Sequence, residues 1–209
     1  MGVESFYLFF ISAMIFILTP GIDTVYVLNK SLCQGWKSGV YSSLGISGGI
    51  IVHTLFAALG LSVILAKSAV VFSVIKYLGA VYLVYLGIKA FCSKNNMMVS
   101  GDFGKKDKSN WKCFQTGIIT NILNPKVALF FLSFFPQFIS PNSIESSLPF
   151  LTLGLTYAFL GLLWFSFLAC FSSLFSKKIK GNIWFNRWLS KISGIVFIGM
   201  GLRIALTRK

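Results

Sequence analysis

The stretch LTPGID at residues 18–23 interrupts what would otherwise be an unbroken apolar helix near the start of the chain. It contains a proline, a glycine and a carboxylate, each of which is costly inside a membrane helix. The stretch LNPK at residues 123–126 brings a second proline and a lysine into another apolar segment. Two hydrophobic segments therefore each carry a proline with an ionisable residue close by, which indicates that the breaks serve a function.

The composition is that of an integral membrane protein. Hydrophobic residues make up 56% of the 209 residues and charged residues 11%, whereas a soluble domain has about 25% charged residues. Residues 38–66 and 146–176 contain no Asp, Glu, Lys or Arg. Each of these stretches exceeds the roughly 20 residues that a helix needs to cross the hydrocarbon core.

The hydrophobic segments predict six membrane-spanning helices, at 5–27, 39–66, 69–91, 112–138, 147–175 and 188–207. Six spans put both termini on one side. The connections on the other side carry thirteen Lys and Arg residues, Lys30 among them, and the terminal side carries five. Because cytoplasmic loops carry the excess of positive residues, both termini are predicted to be external. The net charge of +14 reflects this orientation, so nucleic acid is not a predicted partner.

Two parts of the sequence are similar to each other. ILTP at 17–20 matches ILNP at 122–125 in three of four letters, and YLGAVYLVYLGIK at 77–89 resembles KISGIVFIGMGLR at 191–203. These matches predict an all-α membrane fold of two three-helix repeats, 1–91 and 112–209, joined by a basic cytoplasmic loop at 92–111. Since each repeat has an odd number of spans, the second repeat is inverted relative to the first.

The predicted breaks lie at Thr19, Pro20 and Gly21 in the first span and at Pro125 in the fourth. A proline inside a helix removes one backbone hydrogen bond and leaves carbonyl groups without their usual partners. In a membrane such groups persist only where protein or water satisfies them. Paired breaks in inverted halves therefore predict a binding site near the middle of the membrane.

These features resemble the LysE/RhtB family of amino-acid exporters, named for lysine export and for homoserine and threonine resistance. The resemblance covers nearly the whole chain. It rests on TPGID, LGISGGIIVHTLFAALGLS at 44–62, YLGAVYLVYLGIKA at 77–90, GIITNILNPKVALFFLSFFPQF at 117–138 and SGIVFIGMGLRIAL at 193–206. One departure concerns Ile22, which stands where the family's usual T-P-G-P has its second proline.

The resemblance implies a secondary transporter that moves small amphiphilic solutes outward across the inner membrane in exchange for protons. It implies an amino-acid substrate and no enzymatic activity. An exporter or channel for a metal ion or other small cation is the alternative function. It would need several carboxylates, thiolates or imidazoles together, and the four cysteines are dispersed. No metal site and no cofactor are predicted; lipid surrounds the protein, and the glycine-rich third and sixth spans leave a homodimer open.

Asp23 is the one carboxylate of the sequence that lies within the apolar part of a predicted span. Intramembrane acids are expensive and are functional by default, so Asp23 is predicted to bind a substrate ammonium group or to carry the coupled proton. Its structural alternative is to cap the half-helix that follows the break. Lys126 has two alternatives of equal weight. It either attracts a substrate carboxylate or pairs with Asp23, or it is a snorkelling lysine or part of a structural ion pair.

Three further polar residues lie in the predicted spans. Asn121 and Asn124 are three residues apart on one helix face, where they can satisfy backbone groups freed by Pro125 or bind a ligand. His53, the sole histidine, is expected to hydrogen-bond to a neighbouring helix, with a proton relay as the alternative. The Phe-rich stretch LFFLSFF at 129–135 is interpreted as bulk that faces lipid or other helices. Glycines predicted to allow close helix packing are Gly45, Gly49, Gly79, Gly87, Gly194 and Gly201.

Overall fold

The structure is a computed structural model. It describes residues 2–61, 69–92 and 109–174, together with residues 191, 194–195, 198–199, 201–202 and 205–206. Seven α-helices account for most of the three continuous ranges, and the described residues between 191 and 206 are helical as well. Most of the predicted loop at 92–111 and much of the sixth predicted span lie outside the described residues.

The first predicted span is a pair of helices, α1 at Phe6–Leu18 and α2 at Ile22–Gln34, bent by 53° at the intervening break. Thr19 and Pro20 lie between the helices, and Gly21 is the N-cap residue of α2. Ile22 is therefore the first residue of a helix, a position that suits proline equally well. The departure from the family's second proline is compatible with the same break.

The assignment of Lys30 to the first connection was wrong. The polar residues after position 27 continue α2 to Gln34, and Lys30 is buried, with 3% of its surface exposed. Its ammonium group lies 5.9 Å from the centre of the Tyr26 ring. A charged residue in the sequence indicates a loop only if its side chain stays exposed to water in the folded protein. Here the packing of α2 buries Lys30.

After Gly35, whose φ of +92° favours glycine, α3 runs from Trp36 to Phe56. It continues as a π-helix at Ala57–Leu61. The next helix, α4, occupies Ala69–Cys92, and α4 thus matches the predicted third span at 69–91 within one residue.

The fourth predicted span is also a bent pair. Helix α5 covers Asn110–Ile122 and α6 covers Pro125–Leu129, with a bend of 48° between them. The second element continues as a π-helix at Phe130–Phe134 and a 3-10 turn at Phe135–Phe138. A short 3-10 turn at Pro141–Ser143 precedes the long helix α7 at Ser147–Leu174.

Two described helices are long and apolar enough to cross a membrane, Trp36–Gly60 and Ser147–Ser172, and the number rises to four if each bent pair is one span. The multi-pass membrane fold is therefore confirmed. Helix α4 has 24 residues, which at about 1.5 Å per residue is also long enough to span the hydrocarbon core.

Contacts between distant segments fix which helix ends lie together. Val3 forms an isolated antiparallel bridge with Ile139, so the start of α1 meets the end of the α6 element. Ser147 Oγ donates to the Ala58 carbonyl at 3.3 Å, and Ser38 Oγ donates to Asn110 Oδ1 at 2.7 Å. The two bent pairs therefore run in opposite directions through the protein.

The packing role predicted for the glycines is confirmed where helices cross. A side chain at Gly45 would collide with the backbone carbonyl of Phe114, so α3 and α5 touch backbone to backbone. A Cβ at Gly87 would lie 2.7 Å from the carbonyl oxygen of Gly194. Gly87 and Gly194 of the third and sixth predicted spans thus face each other within one chain, so they no longer argue for a homodimer.

The Phe-rich stretch at 129–135 forms the centre of the core and does not face lipid. The π-helix turns Phe130, Phe131 and Phe134 inward, and each is at most 2% exposed. Phe130 stacks on Tyr157 of α7 with ring centres 4.6 Å apart. The helix-facing alternative is therefore the correct one, and this aromatic cluster closes one end of the break region.

Candidate functional site

The break in the first span leaves carbonyl groups at the end of α1 that lack helical partners. The ammonium group of Lys126 binds two of them, donating to the Phe16 carbonyl at 2.8 Å and to the Thr19 carbonyl at 2.5 Å. The same ammonium group lies 4.8 Å from the centre of the Phe16 ring. A cation is favoured at a helix C-terminus and over an aromatic face, so three features of α1 stabilise Lys126 there.

The Ile15 carbonyl near the end of α1 is satisfied locally. The Ile15 carbonyl accepts from the backbone N–H of Thr19 at 3.0 Å and from its hydroxyl at 2.7 Å. On the other side of the break, the Gly21 N–H donates to Thr24 Oγ1 at 3.4 Å. The first break is therefore held partly by its own residues and partly by Lys126, which comes from the second break.

Asp23 lies in the first turn of α2, where the helix dipole favours a negative charge. It is 6% exposed, and its Oδ2 accepts a hydrogen bond of 2.8 Å from the side-chain amide of Asn121. The positive charge of Lys126 is close enough to attract it. Because Gly21 occupies the N-cap position, the capping alternative for Asp23 was wrong.

Asn124 is the N-cap residue of α6. Its Oδ1 accepts from the backbone N–H of Lys126 at 3.0 Å, and Pro125 follows as the first helical residue, where its missing N–H costs nothing. Asn124 is 2% exposed. Its predicted structural use is confirmed, and its side-chain amide, which makes no hydrogen bond of normal geometry within the described residues, is close enough to Asp23 to interact with it.

Three buried polar atoms at the breaks have no hydrogen-bond partner among the described residues. They are Asp23 Oδ1, Asn121 Oδ1 and Asn124 Nδ2. Buried polar groups are nearly always paired, and exceptions mark functional sites or places for water or ligand. Two free acceptors and one free donor beside one another can receive a small zwitterion or a proton together with water.

A small enclosed space adjoins these atoms. Asp23, Asn124 and Lys126 line it, as do six apolar or aromatic residues: Phe16, Ile17, Ile50, Val127, Tyr157 and Phe165. Its volume is about 10 Å³, which is roughly the room that one water molecule requires. The space is thus too small for an amino acid, and we call this arrangement the closed state.

Tyr157 is a site residue that the sequence reasoning missed. It is buried in α7, it lines the space, and it lies near enough to Asp23 for their charges to interact. A tyrosine in the middle of an otherwise apolar span was the signal that could have found it, since a buried hydroxyl needs a polar neighbour.

His53 lies next to this site and does not line the space. Its Nε2 donates to the backbone carbonyl of Asn121 at 3.2 Å, and its ring stacks on Phe131 with centres 5.6 Å apart. The expected hydrogen bond to a neighbouring helix is confirmed. The structure thus brings Asp23, Lys126, Asn121 and Asn124 together and puts His53 behind Asn121.

Within the described residues, no three His, Cys, Asp or Glu side chains are grouped so that they could hold a metal ion. Cys33, Cys113 and Cys170 form no disulfide with one another. The oxygen atoms at the two breaks belong to backbone carbonyls, one carboxylate and side-chain amides, which can accept hydrogen bonds from an ammonium group.

A family model described as LysE type translocator matches residues 14–208. The chain belongs to this family. The resemblance inferred from the sequence motifs is thereby confirmed, and the chain is a transporter and not an enzyme. Both breaks and all the site residues described above lie inside the matched range.

Three relatives resemble the chain over nearly all of its length. An uncharacterized membrane protein, YrhP, of Bacillus subtilis is 38% identical over 93% of this chain and 95% of its own. A leucine efflux protein of Klebsiella pneumoniae is 30% identical, and one of Enterobacter sp. is 28% identical, each over 98% of this chain and 96% of its own. No solved structure matches the chain.

Proposed function

We propose that this LysE-type translocator exports a neutral, apolar amino acid such as leucine across the plasma membrane in exchange for protons. The observation that carries the proposal is the buried Asp23 carboxylate, which lies between two broken helices with one oxygen unpaired among the described residues. Relatives of matching length are named leucine efflux proteins. The two breaks supply polar groups beside the apolar residues Ile17, Ile50 and Val127.

The groups around the breaks match the two ends of an amino acid. Asp23 Oδ1 can accept from an α-ammonium group, and Asn124 Nδ2 can donate to an α-carboxylate. The neighbouring Ile17, Ile50 and Val127 provide apolar surface for an aliphatic side chain. A charged substrate side chain has no partner on that surface, which favours a neutral amino acid.

Asp23 is also the proposed carrier of the coupled proton. A carboxyl group that binds the substrate ammonium when ionised and releases it when protonated exchanges one for the other. Proton entry from outside then releases the amino acid outward. This antiport requires that the space beside Asp23 opens to each side in turn, because in the closed state it holds about one water molecule.

We further propose six spans in two inverted repeats, with both termini external. The antiparallel bent pairs, the Val3–Ile139 bridge and the excess of positive residues in the predicted cytoplasmic connections support this arrangement. Reporter fusions at both termini test it, and both are expected to report an external location. A cytoplasmic signal from either terminus would contradict the orientation.

An efflux assay tests the proposed function. Cells that lack their own amino-acid exporters are loaded with dipeptides, each of which supplies one amino acid, and release is measured with and without the protein. Leucine and similar aliphatic amino acids are expected to leave faster when the protein is present, and dissipation of the proton gradient is expected to stop the gain. Equal release for every amino acid tested would reject the proposal.

A further inference from the structure

The end of α1 forms a binding site for an ammonium group, and a side chain of the same protein fills it. We define the ammonium pocket as the backbone carbonyls of Phe16 and Thr19 together with the face of the Phe16 ring. The Lys126 ammonium lies 2.8 Å and 2.5 Å from the two oxygens and 4.8 Å from the ring centre. Two carbonyl acceptors and an aromatic face recognise any primary ammonium ion, whether it belongs to lysine or to a free ligand.

The ammonium pocket adjoins the unpaired polar atoms of the site. Phe16 and Lys126 line the same small space as Asp23 and Asn124. A Cβ at Gly21 would lie 3.2 Å from Cδ of Lys126, so the lysine stem lies against the break itself. A ligand that entered beside Asp23 would therefore meet the Lys126 ammonium before it met any other cation described in the structure.

We propose that Lys126 occupies, in this closed state, the position that the substrate α-ammonium takes during transport. The inference rests on the proposed function and adds to Asp23 Oδ1 a second set of ammonium ligands lining the same space, for which lysine and substrate compete. When the substrate enters, its ammonium displaces that of Lys126 and the link between α6 and α1 is released. When the substrate leaves, Lys126 returns and closes the break region again.

If this proposal is correct, Lys126 affects substrate affinity in the opposite direction from a lysine that binds the substrate carboxylate. A lysine that holds the substrate carboxylate strengthens binding, whereas a lysine that competes for the ammonium pocket weakens it. An internal competitor lowers the apparent affinity by the fraction of time that it fills the site. Removal of the competing charge is therefore expected to tighten binding.

The test measures binding to the purified full-length protein in detergent by titration calorimetry. Three probes are compared: leucine, 3-methylbutylamine, which lacks the carboxylate, and 4-methylpentanoate, which lacks the ammonium. Lys126→Met keeps the apolar stem and removes the charge, and it is expected to bind leucine and the amine about tenfold more tightly. Binding of 4-methylpentanoate is expected to stay unchanged. Lys112→Met, which alters an exposed lysine of α5, serves as the matched control and should change nothing.

Two more variants keep the test decisive. Lys126→Arg puts a cation with more donors in the pocket, so leucine should bind more weakly than to the natural protein, and this holds even if Lys126→Met fails to fold. Phe16→Leu removes the aromatic face and should reduce the gain that Lys126→Met gives for the amine. A gain that is fully retained without the Phe16 ring would mean that the aromatic face takes no part in binding and would overturn the ammonium pocket as defined above.

Failure of this inference is distinguishable from failure of the proposed function. If the natural protein exports leucine but Lys126→Met binds the amine no more tightly, only the competition is wrong. If Lys126→Met loses affinity for leucine and 4-methylpentanoate but not for the amine, Lys126 binds the carboxylate and the proposal is overturned. If the natural protein neither binds nor exports any amino acid, both proposals fall.

Discussion

The two breaks look alike in sequence and are stabilised in different ways. The second break is capped by its own residues, since Asn124 accepts from the Lys126 N–H and Pro125 begins the next helix. The first break leaves the Phe16 and Thr19 carbonyls to a side chain that arrives from the second. The second break also sends Asn121 to Asp23. The helix start at the second break is thus capped locally, whereas the helix end at the first break depends on its partner.

This difference locates the part of the site that is able to change. A locally capped helix start keeps its geometry when its surroundings move, because its hydrogen bonds move with it. Contacts that cross between two helix pairs break and form as the pairs shift. The links of Lys126 and Asn121 to the first span are such crossing contacts, so we expect the alternation between outward and inward states to act on them.

Replacement of Asp23 is expected to have the largest effect on export. Asp23→Asn keeps the size and an oxygen that can accept from Asn121 Nδ2, so the break should form as before. Only the charge is lost, and with it the proposed proton carrier and ammonium ligand. Export is expected to fall to the background of vesicles without the protein. Transport is measured at matched expression, with and without an imposed pH gradient.

The outcome of Asp23→Asn also decides between Asp23 and His53 as the carrier of the coupled proton. Near-normal, gradient-dependent export by this variant would remove Asp23 from the mechanism and would make His53 the residue to examine. Loss of export together with loss of insertion would say that the carboxylate is needed for folding, so membrane content is measured on the same samples.

Substitution of Gly49 is expected to have the next largest effect on export, and the adjacent Gly48 provides its control. A Cβ at Gly49 would lie 2.7 Å from both Cβ and Oδ1 of Asn121, whereas one at Gly48 would lie 3.2 Å from Cγ1 of Ile118. Gly49→Ala should therefore push Asn121 away from Asp23, costing about 1–3 kcal/mol in stability, and it should cut export strongly. Gly48→Ala is the matched control, because an isoleucine side chain can yield.

Export and unfolding are measured for both alanine variants in the same preparation. If both variants behave like the natural protein, the position of Asn121 does not depend on its contact with α3. If both lose stability equally, helix packing in general accounts for the loss and the specific contact with Asn121 does not.

The breaks could be predicted from sequence because proline and glycine act locally on the backbone. The same is true of α4 and α7, whose ends match the predicted third and fifth spans within one residue. The burial of Lys30 and the inward turn of Phe131 could not be predicted, since both depend on which helices pack around them. The hydrogen bonds from Lys126 to the end of α1 depend in the same way on a contact between residues more than a hundred positions apart.

The candidate site shows the same division. Asp23, Asn121, Asn124 and Lys126 were predicted from their chemistry in apolar surroundings, and the structure brings them together. Their partners were not predictable, because the sequence contains no record of side-chain direction. Tyr157 was missed although its hydroxyl in an apolar span was a signal, since an aromatic residue in a span is as easily lipid-facing as buried.

The hydrogen bond from His53 to the Asn121 carbonyl predicts a moderate effect of His53 substitution on export. His53→Gln retains a donor that can reach the Asn121 carbonyl, so the position of Asn121 should be nearly kept. Export is expected to fall by less than about fivefold, since one neutral hydrogen bond contributes about 1 kcal/mol. Loss of all export with normal insertion would favour the proton-relay alternative. The measurement is efflux in vesicles, as for Asp23→Asn.

The smallest expected effects are on the free energy of unfolding, and they distinguish the contribution of Asn124 from that of Pro125 at the second break. Asn124→Ala removes the oxygen that accepts from the Lys126 N–H at 3.0 Å, and loss of such a cap costs about 1 kcal/mol in unfolding free energy. Asn124→Ser keeps a capping oxygen and should lose less. Pro125→Ala should lose least, because alanine also suits the first turn of a helix and the cap remains. Denaturant titration in detergent micelles measures all three variants, and a larger loss for Pro125→Ala than for Asn124→Ala would show that the proline, and not its cap, determines where α6 begins.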